Sequence, residues 1–268
     1  MNTFRDYAPR PTRGEPPYVI AHRGISAKAP ENTLAAFRMA ARAEGIDMIE
    51  LDVRLTKDNE VIVLHDRTLQ RTTIGNGAAR KYTLKEIQEY DAGSWFHPSF
   101  SAERVSTLRQ VLEELGDKLW FNIEIKSDLF HRESREFLAQ QVLNVVRDTS
   151  MLHRVLFSSF DHALVATIKQ KEPQSYTGIL YNLYSDFLFF PSTLVKRVNA
   201  DALVCARHEL RNWMLNDVHK NGIAVYVYTL DSVKHTERLV RLGVDGIMSN
   251  RADDIVQVVK GNGALNNS

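Results

Sequence analysis

The sequence predicts a single (β/α)8 barrel of the TIM type. Three observations carry that expectation. The chain has 268 residues, close to the roughly 250 that such a barrel uses. From residue 18 onward, short apolar runs alternate with helix-like stretches of about 10–15 residues. Once one short strand is assigned to a hairpin, eight parallel strands remain, enough to close a barrel.

The elements follow in order. Residues 1–17 are polar and proline-rich and read as an extended N-terminal arm. YVIAH is a buried strand ending at Arg23-Gly24. PENTLAAFRMAARAEG is a helix, with Leu34, Phe37, Ala40 and Ala41 on one face, start signals at Pro30, Asn32 and Thr33, and a stop at Gly45. IDMIELDVRL and VIVLH are strands separated by a connection too short for a parallel crossover. A hairpin fits, and a two-residue turn at Asp58-Asn59 would place Asp52 opposite His65. Residues 66–107 read as an insertion over one end of the barrel. Further strands fall at 118–126, 154–159, 177–181, 201–206, 223–229 and 244–250, and helices near 133–148, 161–171, 211–221, 232–242 and 251–260. The barrel is expected over residues 18–260, with a tail at 261–268.

Composition excludes several classes. Hydrophobic residues are 44% and charged residues 25% of the chain, which is ordinary folded usage rather than disorder. Lys+Arg is 34 against 33 Asp+Glu, so the net charge is +1 and there is no electrostatic case for nucleic acid. A local basic pocket for a phosphate remains compatible with that balance. Cys205 is the only cysteine, which excludes an intramolecular disulfide and a cysteine-only metal site. No apolar run approaches the roughly 18 residues of a transmembrane span. The first residues lack the apolar segment of a secretory signal, so a cytoplasmic location is expected.

Strand periodicity picks out the chemistry. Side chains alternate with a period of two, so Glu50 and Asp52 share one face, as do Asn122, Glu124 and Lys126. Ile49, Leu51, Ile123 and Ile125 then face the helices. Charges facing inward are the wrong filling for a plain barrel core, and burying them unpartnered costs several kcal/mol each. Three carboxylates and a lysine near strand ends point to a hard divalent cation, Mg²⁺ or Ca²⁺. His22 ends the first strand, and the hairpin brings His65 beside Asp52. Two histidines flanking a metal site can divide acid and base work near neutral pH. Arg23 and Lys126 can hold phosphate oxygens. The other seven histidines read as ordinary surface or packing residues.

These residues resemble a known family. AHRGISAKAPENTLAAF, MIELDVRLTKDNEVIVLHDRTLQRTT, FNIEIK, SSF and GVDGIMSN are similar to the motifs of glycerophosphodiester phosphodiesterases, over about residues 18–256. The resemblance implies a barrel related to phosphatidylinositol phospholipase C. It also implies hydrolysis of deacylated phospholipids, such as glycerophosphocholine, to an alcohol and sn-glycerol 3-phosphate. By motif, His22 and His65 match the acid/base pair, Glu50, Asp52 and Glu124 the metal ligands, Arg23 the phosphate binder and Lys126 the site lysine. Some positions depart from the pattern. Arg67 follows HD where a proline is usual, Ser106 stands at another common proline, and Asp231 at a common asparagine. Tyr228 stands where a tryptophan is common and is a candidate substrate contact.

Some residues carry two readings. Glu31 and Asn32 are expected chiefly to order the start of the first helix, with a supporting role at the site left open. Gly24 reads as a tight-turn residue, whereas Ser159 and Phe160 either line the site or pack. Phe187–Phe190 reads first as a helix packed on the barrel wall, and second as an apolar mouth for a choline group or an acyl chain. Trp95 and Phe96 carry the same two readings. The expected substrate is a small glycerophosphodiester. Alternatives are a lysophospholipase D-like enzyme at a membrane surface, with peripheral lipid contact, and a barrel that binds phosphodiesters without turnover.

Overall fold

The computed structural model describes residues 7–12, 15–127 and 132–261. The C-terminal tail beyond Gly261 and parts of the N-terminal arm lie outside these residues. Nine strands form one sheet: β1 Tyr18–His22, β2 Met48–Leu55, β3 Val61–Val63, β4 Trp120–Ile125, β5 Val155–Ser159, β6 Tyr176–Leu180, β7 Ala202–Ala206, β8 Ala224–Tyr228 and β9 Gly246–Ser249. Their order is β1-β9-β8-β7-β6-β5-β4-β2-β3, and a further β1–β2 pairing closes the ring. All pairings are parallel except β2–β3. The eight parallel strands make a closed (β/α)8 barrel, as the alternation predicts.

Pleating sorts the side chains. Ile49, Leu51, Val53, Phe121, Ile123 and Ile125 join the large apolar layer between barrel and helices. The alternate residues point inward. Near the strand starts this interior is apolar, with Tyr18, Ile20, Met48, Trp120 and Tyr226 in one cluster. Tyr7 from the arm plugs this end. It is 2% exposed, its ring meets Trp120 and Tyr176 edge-on, and its hydroxyl hydrogen-bonds the Tyr226 hydroxyl. Near the strand ends the same inward positions are charged, and the site is there.

Ten α-helices are present among the described residues: α1 Leu34–Arg42, α2 Leu84–Gln88, α3 Leu108–Leu115, α4 Arg132–Asp148, α5 His162–Lys171, α6 Leu183–Asp186, α7 Pro191–Arg197, α8 Asn212–Lys220, α9 Val233–Leu242 and α10 Ala252–Gly261. α3 lies outside the expected helices, although a Thr107/Gln110 capping box starts it and Leu108, Val111, Leu112 and Leu115 bury one face. The insertion and the end of β3 share a small core, in which Ile62, Leu64, Leu69 and Ile87 pack together.

The hairpin is present, but its expected register is off by one. Val53 pairs with Val63 and Leu55 with Val61, and the Leu64 amide donates to the Asp52 carbonyl at 2.9 Å. Asp52 therefore faces Leu64, not His65. The cause is the turn. A two-residue primed turn of type I′ needs a left-handed backbone at both central positions. Only Asn59 adopts it, at φ +68°. The Asp58 carboxylate instead accepts from the Thr56 hydroxyl and the Leu84 amide, so the loop is three residues long. Lys57 and Glu60 are exposed, as the projecting hairpin requires. His65 lies beyond the end of β3, where strand pleating no longer sets its direction, and Arg54 clamps its carbonyl at 2.8–2.9 Å.

Candidate active site

Neighbouring strand ends bring the charged residues together. His22 is level with Glu50, Glu50 with Asn122, and Asp52 with Glu124. His22, Arg23, Glu50, His65, Glu124 and Lys126 line one cavity of about 240 Å³, with Tyr228 and Phe160 on its wall. Asp52 is fully buried beside them. One oxygen from each of Glu50, Asp52 and Glu124 lies within 4.8 Å of the others. Among the described residues, Glu50 Oε1 and Asp52 Oδ1 are buried without a hydrogen-bond donor, and Lys126 Nζ lies 2.8 Å from Asp52 Oδ1. Lys126 also contacts Glu124, and Arg23 Nε lies 3.2 Å from Asp52 Oδ2.

Buried oxygens lacking donors, in an all-carboxylate set, fit a hard divalent cation. The electrostatics agree. Burial, then Asp52 and Glu124, push the Glu50 carboxyl well above the usual range. Burial also raises Glu124, though Lys126 opposes the shift. Burial acts against the Asp52 charge too, but Lys126, Arg23 and His65 hold that carboxyl well below its ordinary value. The triad is thus over-supplied with negative charge in the absence of a cation.

Burial acts against the charged form of both histidines. Burial, helped by Arg23, lowers His22 to about 4. Burial also lowers His65, with Asp52 acting in the opposite sense. Their partners differ. His22 Nδ1 is 2.7 Å from Asn250 Oδ1, and the Asn250 amide N–H donates to Asp231. That leaves the Asn250 oxygen to accept, so His22 carries its proton on Nδ1. Its Nε2 faces the cavity, 3.8 Å from Glu50 Oε2. His65 Nδ1 instead meets a carboxylate, Asp66 Oδ1, at 2.6 Å.

Comparison with known proteins supplies the family. A model described as the glycerophosphoryl diester phosphodiesterase family matches residues 22–254. The chain belongs to this family. It is 37% identical to a glycerophosphodiester phosphodiesterase of Caldanaerobacter subterraneus over 246 residues, 91% of this chain and 98% of that one. Among solved structures, it is similar to a phosphodiesterase of Oleispira antarctica in complex with the product sn-glycerol-3-phosphate. That match has a TM-score of 0.81 and 27% identity, covering 91% of this chain and 97% of the other. A glycerophosphodiester phosphodiesterase of Agrobacterium tumefaciens matches with a TM-score of 0.77 and 28% identity, over 90% and 99% of the two chains.

In this family member, an outer layer of residues holds the site, and sequence reasoning missed most of it. Asn32 and Glu31 do not serve chiefly to start α1, because Thr33 caps that helix. Asn32 donates to Asp52 Oδ2 at 2.8 Å. Glu31 accepts from Arg23 and from both terminal nitrogens of Arg71. Arg71 also grips Asp66, so a chain of ion pairs runs from His65 through Asp66, Arg71 and Glu31 to Arg23. Arg23 and Asn32 both hold left-handed backbone, at φ +58° and +59°, a conformation that costs of order 1–3 kcal/mol and gathers at functional sites. Gly24 is a turn residue. A side chain there would lie 2.6 Å from the Ala36 backbone.

The remaining two-way readings divide as follows. Ser159 is buried and donates to the Ile125 carbonyl, whereas Phe160 lines the cavity. Trp95 and Phe96 meet edge-to-face within the insertion, with ring centroids 5.8 Å apart. Phe187–Phe190 is not a wall-packed helix. It joins α6 to α7, and all four side chains are exposed.

Proposed function

We propose that this chain is a divalent-cation-dependent phosphodiesterase that hydrolyses glycerophosphodiesters to an alcohol and sn-glycerol 3-phosphate. The observation that carries the reading is the triad Glu50, Asp52 and Glu124, buried beside one cavity with two histidines of unlike partners. The family and the product complex of the Oleispira relative support the substrate class.

Glu50, Asp52 and Glu124 would hold Mg²⁺ or Ca²⁺. Such an ion, when bound, neutralises charge developing on a phosphate oxygen and orients the attacking group. Arg23 and Lys126 bring positive charge to the cavity wall, where the other phosphate oxygens belong. His22 is the general base. Its Nδ1 proton is engaged by Asn250, which leaves Nε2 free to take the proton of the attacking hydroxyl or water. Its amide partner carries no charge and so does not trap the neutral ring as imidazolium before the reaction. His65 is the general acid. The Asp66 carboxylate, held by Arg71, works against the burial that lowers this imidazole and so favours its protonated form, which delivers its Nε2 proton to the leaving alcohol. Tyr228 lies on the cavity wall, and burial, helped by Glu124, keeps its hydroxyl protonated as a donor to substrate.

The test is to supply glycerophosphocholine, glycerophosphoethanolamine and glycerophosphoglycerol with Mg²⁺, Ca²⁺ or a chelator. Cation-dependent release of sn-glycerol 3-phosphate supports the reading. Release of phosphocholine or phosphoethanolamine with free glycerol contradicts it.

A further inference from the structure

Twelve large apolar side chains stand exposed among the described residues, and nine of them occupy one sector of the rim around the strand ends. Phe160 follows β5. Six lie between Leu183 and Phe190, after β6. Trp213 follows β7 and Val233 follows β8. The most exposed of the nine is Tyr184, at 92%, followed by Leu188, Phe190 and Phe187, at 73%, 63% and 61%. Phe160 also lines the catalytic cavity, so this sector adjoins the mouth of the barrel. Scattered apolar residues need no explanation, but a contiguous exposed group marks a docking surface.

The charges beside it identify the partner. A cavity of about 680 Å³ on the outer wall beside α8 and α9 is lined by Arg207, Arg211 and Arg238, with His208 and His235 and no carboxylate. Trp213 belongs to this cavity and meets the Phe190 ring edge-on at 5.9 Å. Among the described residues none of the three arginines forms an ion pair, and Arg211 donates only to backbone carbonyls. Arg197 stands over the Phe189 ring at 5.2 Å. An apolar knob bordered by unneutralised arginines is the signature of a surface that enters an anionic lipid interface, with the rings among acyl chains and the guanidiniums at lipid phosphates. A two-fold contact with a second copy would bring like-charged arginine groups together, which disfavours self-association here.

We propose that the β5–β8 sector of the rim docks the catalytic mouth onto an anionic phospholipid bilayer. This goes beyond hydrolysis of a soluble diester, which stands or falls separately. Salt weakens such binding by screening the arginines.

The test uses the full chain and vesicles of phosphatidylcholine, alone or mixed with phosphatidylglycerol, in cosedimentation at low and high salt. The wild type is expected to bind the mixed vesicles, less so in high salt. The triple variant Phe187→Ser, Leu188→Ser, Phe190→Ser should lose at least ~10-fold in partitioning, since three apolar groups leave the interface. The triple variant Arg207→Gln, Arg211→Gln, Arg238→Gln should lose roughly 5-fold per charge on mixed vesicles only. Unchanged melting temperatures show that both variants are folded, and unchanged turnover of soluble glycerophosphocholine separates docking from catalysis. Three results overturn the proposal: no binding of the wild type to mixed vesicles, binding that survives either triple substitution, or a dimer in light scattering that the serine variant converts to monomer.

Discussion

Replacing Glu50 by Gln should stabilise the metal-free protein while removing its response to cation. Glu50 is 2% exposed, and its nearest oxygen lies within 4.8 Å of oxygens from Asp52 and Glu124. At that separation, two like unit charges repel by roughly 3.5 kcal/mol in an effective dielectric of about 20. Arg23 and Lys126 cancel much of this, leaving a net cost of roughly 1–3 kcal/mol to ionise Glu50 in place. The sign follows from the raised carboxyl. Its contribution to stability is fully present below the unfolded pKa and is lost as pH rises through the folded one. Chelated wild type should therefore lose stability from about pH 4 upward into the neutral range. In the Glu50→Gln variant the amide carries no charge and meets carboxylate acceptors, so that loss is reduced. The assay is thermal unfolding by circular dichroism across this pH range, with chelator or with Mg²⁺. At about 2–4 °C per kcal/mol, the chelated variant should melt roughly 2–12 °C above chelated wild type at neutral pH. Saturating Mg²⁺ should raise the wild type by a similar or larger amount, since roughly 100 Kd of ligand supplies about 2.7 kcal/mol, and should leave the variant unmoved. A wild type indifferent to both pH and Mg²⁺, with the variant less stable, would refute the reasoning.

Three further outcomes are expected. His22→Ala and His65→Ala should each lower kcat by ~10²–10⁴-fold with a smaller effect on KM, and a substrate with a good leaving group should rescue the His65 variant selectively. Asn250→Leu should lower kcat by about 10-fold or more by releasing the Nδ1 proton of His22, with Asn250→Asp restoring part of it, because a carboxylate still accepts that proton. Tyr7→Ala should cost roughly 2–4 kcal/mol by emptying the plug at the far end of the barrel, seen as a lower melting temperature with kcat unchanged.

Much of the barrel was legible because period-two alternation survives in every strand that bears the site. Ile49, Leu51, Ile123 and Ile125 do face the helices, and the charged residues between them do meet in one cavity. The hairpin slipped by one because KDNE contains candidates for both a two- and a three-residue loop. What decided between them was a contact from the Asp58 carboxylate to Leu84, 26 residues away. The partners of the histidines were hidden for related reasons. Asn250 reaches His22 across 228 residues, by closure of the barrel. Asp66 and Arg71 are near His65 in sequence, but their purpose depends on Glu31 from another loop. Phe187–Phe190 reads as a buried helix by hydrophobicity alone, and only its place between two short helices leaves it in the open.

The central claim is that one cavity uses a carboxylate-bound cation and two histidines to cut a glycerophosphodiester on the alcohol side of phosphorus. Its most direct test is a coupled assay for sn-glycerol 3-phosphate from glycerophosphocholine, run on the chelated protein before and after adding back Mg²⁺ or Ca²⁺. The expected result is no product with chelator, then equal amounts of sn-glycerol 3-phosphate and choline on adding the cation. Full turnover in chelator, or phosphocholine in place of choline, would contradict it.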